Sequence, residues 1–197
     1  MNHRLVLVLG PSGVGKDTIL NWLRSNWLAG QAVHWVRRTI TRPSQADAEA
    51  HEGVDAASFA SIQAQGGFAL DWSANGLQYG IRHDEMLPLQ QGAWVILNGS
   101  REHLPVCAAR YPGLTVVHIS ADSAVVRQRL KARGRESDDE IEARIQRQVP
   151  LRVPTGCQGI EILNNSSIAQ AGSDLLQALM RLDATLGAAA EVTQLTQ

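Results

Sequence analysis

Cysteine is scarce in this 197-residue chain, and the two that occur, Cys107 and Cys157, cannot build a disulfide framework or a structural zinc site of four ligands. Such usage fits a reducing cytosol. Lysine is scarcer than the charge count suggests. Of 18 cationic residues all but Lys16 and Lys131 are arginine, so any essential ammonium is one of those two. Charge of one sign is also missing: the formal net charge is −1, which argues against a dedicated binder of nucleic acid or of anionic membranes. Long apolar runs are absent as well. Leu5 to Leu9 stops at Gly10, short of the roughly 7–15 residues of a signal-peptide core, and nothing approaches the ~20 of a membrane span. What is present, 44% hydrophobic and 19% charged residues, is the composition of a globular chain, and the length suits one domain over residues 1–197.

Apolar runs that read as strands alternate with segments of helical period, the signature of an α/β fold around a mainly parallel sheet. The expected strands are Leu5–Leu9, Ala32–Val36, Trp94–Leu97, Leu114–Ile119 and Ile160–Leu163. Helices are expected at Lys16–Leu28, Arg101–Arg110, Ser123–Ala132, Asp138–Gln148 and Ile168–Leu186. Residues 37–91 break this rhythm. They are rich in Gly, Ser, Ala and Asp, with a short helix near Ser58–Gln65 and a hairpin of Phe68–Trp72 and Leu77–Ile81 around Asn75-Gly76, and so read as an insertion on the sheet. A second irregular piece, Arg133 to Asp138, interrupts two helices and marks 131–149 as a small lid region.

Gly10-Pro11-Ser12-Gly13-Val14-Gly15-Lys16 follows a strand and opens a helix, which is both the composition and the context of a phosphate-binding P-loop. Glycines let successive backbone N–H groups curl around phosphate oxygens, the helix start adds positive potential, and Lys16 reaches the β- and γ-phosphates. The strict pattern continues with Ser or Thr, whose hydroxyl holds Mg²⁺; here Asp17 stands at that position, with Thr18 after it. The strand Trp94-Val95-Ile96-Leu97 closes on Asn98-Gly99-Ser100 and supplies no magnesium-side carboxylate. Asp17 is therefore the expected metal-side charge, acting directly or through a bound water.

Cations cluster in two further places. Arg133, Arg135 and Arg144 flank the break between two helices, where guanidinium forks would suit migrating phosphate oxygens, while a salt-bridged helix face accounts for Arg127, Arg129 and Arg147. On the other side Arg37, Arg38 and Arg42 leave the second strand and Arg82 follows the hairpin that carries Tyr79, the expected site for a phosphorylated acceptor.

These motifs together, Gly-Pro-Ser-Gly-x-Gly-Lys, Thr39-Ile40-Thr41-Arg42, Asn75-Gly76-Leu77-Gln78-Tyr79-Gly80 and Arg129-Leu130-x-x-Arg133-Gly134-Arg135-Glu136, resemble the guanylate kinase superfamily over nearly the whole chain. The resemblance implies a three-layer P-loop kinase fold with a central parallel sheet, an acceptor-binding insertion and a small lid. Asp17, Trp72-Ser73-Ala74-Asn75-Gly76-Leu77, Leu97-Asn98-Gly99-Ser100-Arg101 and Leu163-Asn164-Asn165 are more similar to the branch that acts on ribose 1,5-bisphosphate in phosphonate catabolism. That branch implies transfer of the ATP γ-phosphate to the 1-phosphate of ribose 1,5-bisphosphate, giving 5-phosphoribosyl diphosphate and ADP with Mg²⁺ as cofactor. By position, Arg42 would bind the acceptor phosphate and Tyr79 would line the same pocket, Arg133, Arg135 and Arg144 would clamp the lid, and Asn164 would approach the adenine. Asn98 and Ser100 fall with the acceptor, and Arg37, Arg38, Arg82 and Arg101 are unranked candidates for the sugar 5-phosphate.

Departures from the guanylate kinase pattern point the same way. One guanine-side carboxylate falls at Leu70, with Asp71 one residue along and so on the opposite strand face; another falls at Ser100. Loss of two charged contacts on a buried base edge amounts to about 2–6 kcal/mol. The histidines, His3, His34, His51, His83, His103 and His118, have no metal-site spacing and are expected to be structural or at the surface. A nucleoside monophosphate kinase and a non-catalytic module of the same fold are the alternatives; the intact Lys16 and lid arginines argue against the module.

Overall fold

The computed structural model describes residues 2–11, 13–43, 51–74, 76–134, 137–146 and 151–195, with the backbone alone for 133, 144 and 187–195. In chain order the elements are β1 (Leu5–Leu9), α1 (Lys16–Ser25), β2 (Val33–Trp35), β3 (Arg38–Ile40), β4 (His51–Gly53), α2 (Ala56–Ala64), β5 (Phe68–Ala74), β6 (Leu77–Arg82), α3 (Leu87–Gln90), β7 (Trp94–Asn98), α4 (Leu104–Arg110), β8 (Thr115–Ser120), α5 (Ser123–Arg133), α6 (Asp138–Gln146), β9 (Gln158–Leu163) and α7 (Ile168–Leu195). The expected α/β architecture is there: a parallel sheet in the order β2-β7-β1-β8-β9. All five residues of β1 and of β7 are buried, as near-continuous Val, Leu and Ile runs require of strands covered on both faces. Leu5 pairs with Val95 and Val8 with Asn98, so the polar end of β7 lies beside the end of β1.

The chain forms two compact units, one of Met1–Val8, Gly30–Thr115 and Pro154–Cys157, the other of Leu9–Ala29, Val116–Val153 and Gln158–Gln197. The first holds a second sheet in the order β4-β3-β6-β5. Here β5 and β6 form the expected antiparallel hairpin, of which Asn75 lies outside the described residues. β3 joins β6 antiparallel and β4 joins β3 parallel. β3 and β4 have three residues each, too few for an alternation to be read from sequence. Asp55 caps α2 through its carboxylate, which accepts from the Ser58 amide at 2.7 Å. Phe59 of α2 then reaches Phe68 of β5, ring centroids 4.7 Å apart, and both rings are buried. Each ring so buried contributes roughly 1.5–3 kcal/mol.

In the second unit α1 packs on α7, with the Trp22 ring so close over Gly172 that a Cβ there would stand 2.1 Å from it, and Ile19, Leu23, Leu175 and Leu179 are buried. α5 ends at Gly134, whose φ of 64° is left-handed, and α6 opens with a reciprocal cap: Ser137 N donates to the Glu140 carboxylate at 2.8 Å and Glu140 N donates back to Ser137 Oγ at 3.3 Å. The helix expected over 101–110 starts instead as a 3-10 turn, Arg101–His103, because Pro105 admits a regular helix only from its own first turn.

Candidate active site

The P-loop lies in the second unit, between β1 and α1. Its shape comes from close packing that only glycine permits: a Cβ on Gly10 would stand 2.2 Å from the carbonyl oxygen of Ile119. Gly15, at φ 88°, caps α1, and the Ile19 amide already donates to its carbonyl at 2.9 Å, so the helix begins inside the loop. The orphan N–H groups of that first turn and the helix dipole favour an anion here. Lys16 folds over the loop, its Nζ donating to Gly10 O at 2.7 Å and Pro11 O at 3.0 Å, which holds the ammonium at the loop itself. Asp17 and Thr18 are exposed on the same turn. Ser12 lies outside the described residues.

Asn164, expected near the adenine, lies directly behind the loop. Its side chain is fully buried, and Nδ2 donates to Val14 O at 2.7 Å. The residue is pinned on its other sides too: its amide donates to Ser120 O at 2.8 Å, and Arg129 Nη1 donates to its carbonyl at 3.0 Å. Asn164 therefore braces the P-loop through Nδ2, while its Oδ1 is buried with no hydrogen-bond partner among the described residues. Replacing Asn164 by Ala is expected to destabilise the fold by about 1–3 kcal/mol, because Val14 O is left buried without its donor, and to raise KM for ATP by loosening the loop. Urea unfolding and ATP titration check both.

Among the lid cations, Arg127 gives its fork to Glu142, with Nε–Oε1 at 2.5 Å and Nη2–Oε2 at 2.9 Å, and Lys131 pairs with Asp138 at 2.9 Å. Arg127 thus belongs to a salt-bridged helix face, as expected, whereas Arg129 donates to Asn164 O and Arg147 lies outside the described residues. Arg135 lies outside the described residues, and so do the side chains of Arg133 and Arg144.

The acceptor candidates lie in the first unit. Alternation sorts them between the two faces of the four-stranded sheet. Tyr79 shares a face with Arg38, whose Cζ lies 5.4 Å from the Tyr79 ring centroid, and with Trp72, stacked on Tyr79 at 5.3 Å and 7°. Thr41 N donates to Gln78 O at 3.1 Å and Gln78 N to Thr41 Oγ1 at 2.9 Å, which holds the segment carrying Arg42 against the hairpin. Arg42 Nε is buried and has no hydrogen-bond partner among the described residues. Asn98 is buried at the end of β7, and Ser100 and Arg101 are half-buried at the head of the 3-10 turn that follows.

Arg82 lies on the opposite face. Its Nε and Nη2 donate to the two oxygens of Glu52 at 2.9 and 2.8 Å, while Thr39 Oγ1 donates to Glu52 Oε2 at 2.8 Å. This knot ties β3, β4 and β6 together and pairs Arg82 with a carboxylate of the protein's own. Glu52 had no signal in the sequence, because its role depends on the pairing of β4 with β3. Asp71 is on the Arg82 face as well. The register shifts between Phe68 and Leu70, but Asp71 pairs with Gly80 and Trp72 with Tyr79, so Asp71 stays away from the Tyr79 face and accepts from Gln63 Nε2 at 2.6 Å. Leu70 is buried. The hairpin strands thus put no carboxylate on the Tyr79 face.

Two titrations follow from this geometry. Burial pushes the His103 imidazole below its ordinary 6.5, outweighing the opposing field of Asp71. The hydrogen bond from Arg82 holds the Glu52 carboxyl below its ordinary 4.5. In both cases the unfolded chain takes up the proton first as pH falls, so stability is lost on the acid side. Stability measured against pH should decline in two windows, beginning below about 6.5 and below about 4.5. His103→Phe reduces the first decline and Glu52→Gln the second. Both cysteines are free thiols, and burial pushes Cys107 up to about 12, far from a reactive thiolate.

Among the described residues no group of three or more His, Cys, Asp or Glu is placed to hold a metal ion, and no helix is long and apolar enough to cross a membrane. No family model matches the chain. The fold is similar to the crystal structure of guanylate kinase from Anaplasma phagocytophilum, with a TM-score of 0.56 at 13% identity over 90% of this chain and 84% of that one. It is also similar to a gluconokinase from Sinorhizobium meliloti, with a TM-score of 0.50 at 14% identity over 94% and 96%. Fold and loop together define a P-loop protein of guanylate-kinase-like architecture.

Sequence relatives narrow the class. The chain is 49% identical to a ribose 1,5-bisphosphate phosphokinase of Pseudomonas fluorescens over 147 residues, 75% of this chain and 77% of that protein. It is 42% identical to that of Azotobacter vinelandii over 92% of this chain and 98% of the relative, and 39% identical to that of Thiobacillus denitrificans over 92% and 95%. The chain belongs to the ribose 1,5-bisphosphate phosphokinase family.

Proposed function

We propose that the chain transfers the γ-phosphate of ATP to the 1-phosphate of ribose 1,5-bisphosphate, giving 5-phosphoribosyl 1-diphosphate and ADP, in the step of phosphonate catabolism that the resemblance implies. The observation that carries this reading is the kinship with ribose 1,5-bisphosphate phosphokinases, 42% identity over 92% of the chain in one case. The Tyr79 face agrees with it, since it presents arginine and packed rings with Leu70 buried and no carboxylate for a base edge.

The reaction needs no dedicated base. A phosphate monoester is largely ionised at neutral pH, so an oxygen of the 1-phosphate attacks the γ-phosphorus as it stands. The new P–O bond forms as the bond from the γ-phosphorus to its bridging oxygen breaks, and that oxygen leaves with ADP carrying the electron pair. Lys16 and the loop amides bind the donor phosphates and neutralise the charge that shifts towards the leaving oxygen. Arg42 and Tyr79 orient the acceptor, with Arg38, Asn98, Ser100 and Arg101 as further candidates. Arg133, Arg135 and Arg144 are assigned to the lid clamp on the resemblance alone.

The donor set at the helix start, an exposed carboxylate on Asp17 followed by the Thr18 hydroxyl, fits a hard divalent cation bound mainly by water and phosphate. Asp17 and Thr18 would hold Mg²⁺, whose chemistry there is to neutralise phosphate charge. Asp17→Asn is expected to raise the magnesium concentration that gives half-maximal turnover; an unchanged magnesium dependence removes the metal role. ADP release measured with ribose 1,5-bisphosphate and with GMP tests the whole reading. Preference for GMP overturns it, and no turnover with either leaves a non-catalytic module.

A further inference from the structure

The face of the second sheet that bears Tyr79 is occupied by the protein's own flat groups. Trp72 and Tyr79 are an opposed pair on β5 and β6, nearly parallel at 7°. His103, delivered by the 3-10 turn after β7, stacks on Trp72 with centroids 5.1 Å apart and planes at 23°. Arg38 covers Tyr79. His103 is only 9% exposed, and its Nε2 is buried without a hydrogen-bond partner among the described residues. A buried unpartnered ring nitrogen is a cost that an apolar side chain would not incur, so stability alone does not account for an imidazole here.

A nucleobase is gripped through its flat face, by stacking on an aromatic ring, and through its edge, by fixed polar groups. Here Trp72 and Tyr79 stack on each other, His103 takes more of the Trp72 surface and Arg38 lies over Tyr79. Leu70, on the same strand face as Trp72, offers nothing to a base edge. A base entering this face would have to part stacked groups that gain nothing in return. A ribose phosphate has no flat aromatic part and asks only for charge and hydroxyl contacts.

We propose that the Trp72–His103 stack is the specificity device of the acceptor side: it fills with protein rings the place a base would take, so the site accepts a base-free sugar phosphate and refuses nucleoside monophosphates. This rests on the sugar-phosphate reading above and adds to it the residues that enforce the choice. Neither Trp72 nor His103 is assigned to phosphate binding.

The test is kcat/KM for ribose 1,5-bisphosphate and for GMP, with ATP, in the full-length wild type and in Trp72→Ala, Trp72→Phe and His103→Ala, each checked for folding by thermal unfolding. Trp72→Ala should lower the preference for the sugar bisphosphate about tenfold or more, the scale on which pocket shape acts, with kcat/KM for GMP itself rising and KM for ATP unchanged. His103→Ala should move the ratio the same way by less, and decides the matter if Trp72→Ala does not fold. Trp72→Phe, which keeps a ring, should stay within about twofold. A merely structural role lowers both substrates together, and a constant ratio in Trp72→Ala and His103→Ala overturns the inference alone. A wild type that prefers GMP overturns the sugar-phosphate reading and the inference with it.

Discussion

Lys16→Ala is expected to lower kcat by about 10²–10³ or more, the loss seen when one fixed donor to transition-state charge is removed from a closed site. The size of the effect follows from how few substitutes the chain has. The one other lysine, Lys131, is tied to Asp138 at 2.9 Å on an exposed helix face. Lys16 itself is held to the loop by two carbonyls, Gly10 O at 2.7 Å and Pro11 O at 3.0 Å, so its ammonium is preorganised where donor phosphates would lie. Lys16→Arg should recover little, because a planar guanidinium cannot replace a compact three-donor charge against two loop carbonyls. Steady-state kinetics at saturating ATP measure this. A variant that keeps near-wild-type kcat while folded would remove Lys16 from the chemistry.

Arg42→Ala is expected to lower kcat/KM for the acceptor about 10- to 100-fold, the value of one to two charge-assisted hydrogen bonds to phosphate, while KM for ATP stays within about twofold. Two observations single out this arginine. Arg82 is already paired with Glu52, whereas the buried Nε of Arg42 has no partner among the described residues. The hydrogen bonds between Thr41 and Gln78 also hold Arg42 beside the hairpin that presents Tyr79. Arg42→Lys should restore less than half of the loss in free-energy terms, since a point charge lacks the fork. If Arg42→Ala raised KM for ATP as much as for the acceptor, the assignment to the acceptor side would be lost.

Much of this molecule was legible from residues alone where the signal was local. Leu5 to Leu9 followed by Gly10 to Lys16 declares a buried strand, a phosphate loop and a helix, and the structure has β1 and α1 there, between Leu5 and Ser25. The hairpin was legible because Asn75-Gly76 sits between alternating runs. What was not legible depends on distance along the chain. Glu52 and Arg82 are 30 residues apart, and their pairing exists because β4 and β6 flank β3. Asn164 meets Val14 across 150 residues, a contact that the Leu163-Asn164-Asn165 motif cannot announce. Trp72 belongs to a motif that marked the subfamily and His103 lies two residues past another, yet their stacking is a property of the folded sheet and the 3-10 turn. Strand parity does separate Tyr79 from Arg82 on paper; what parity cannot supply is which face a partner will occupy.

The central claim is the fate of one phosphoryl group. ATP labelled in the γ-phosphate, incubated with the full-length protein, Mg²⁺ and ribose 1,5-bisphosphate, and followed by phosphorus NMR tests it most directly. The account predicts that the label appears as the terminal phosphorus of a diphosphate at the sugar's C1, with the 5-phosphate resonance retained and ADP formed in equal amount. Label that enters only inorganic phosphate, or that reaches GMP in preference when both acceptors are present, would contradict it.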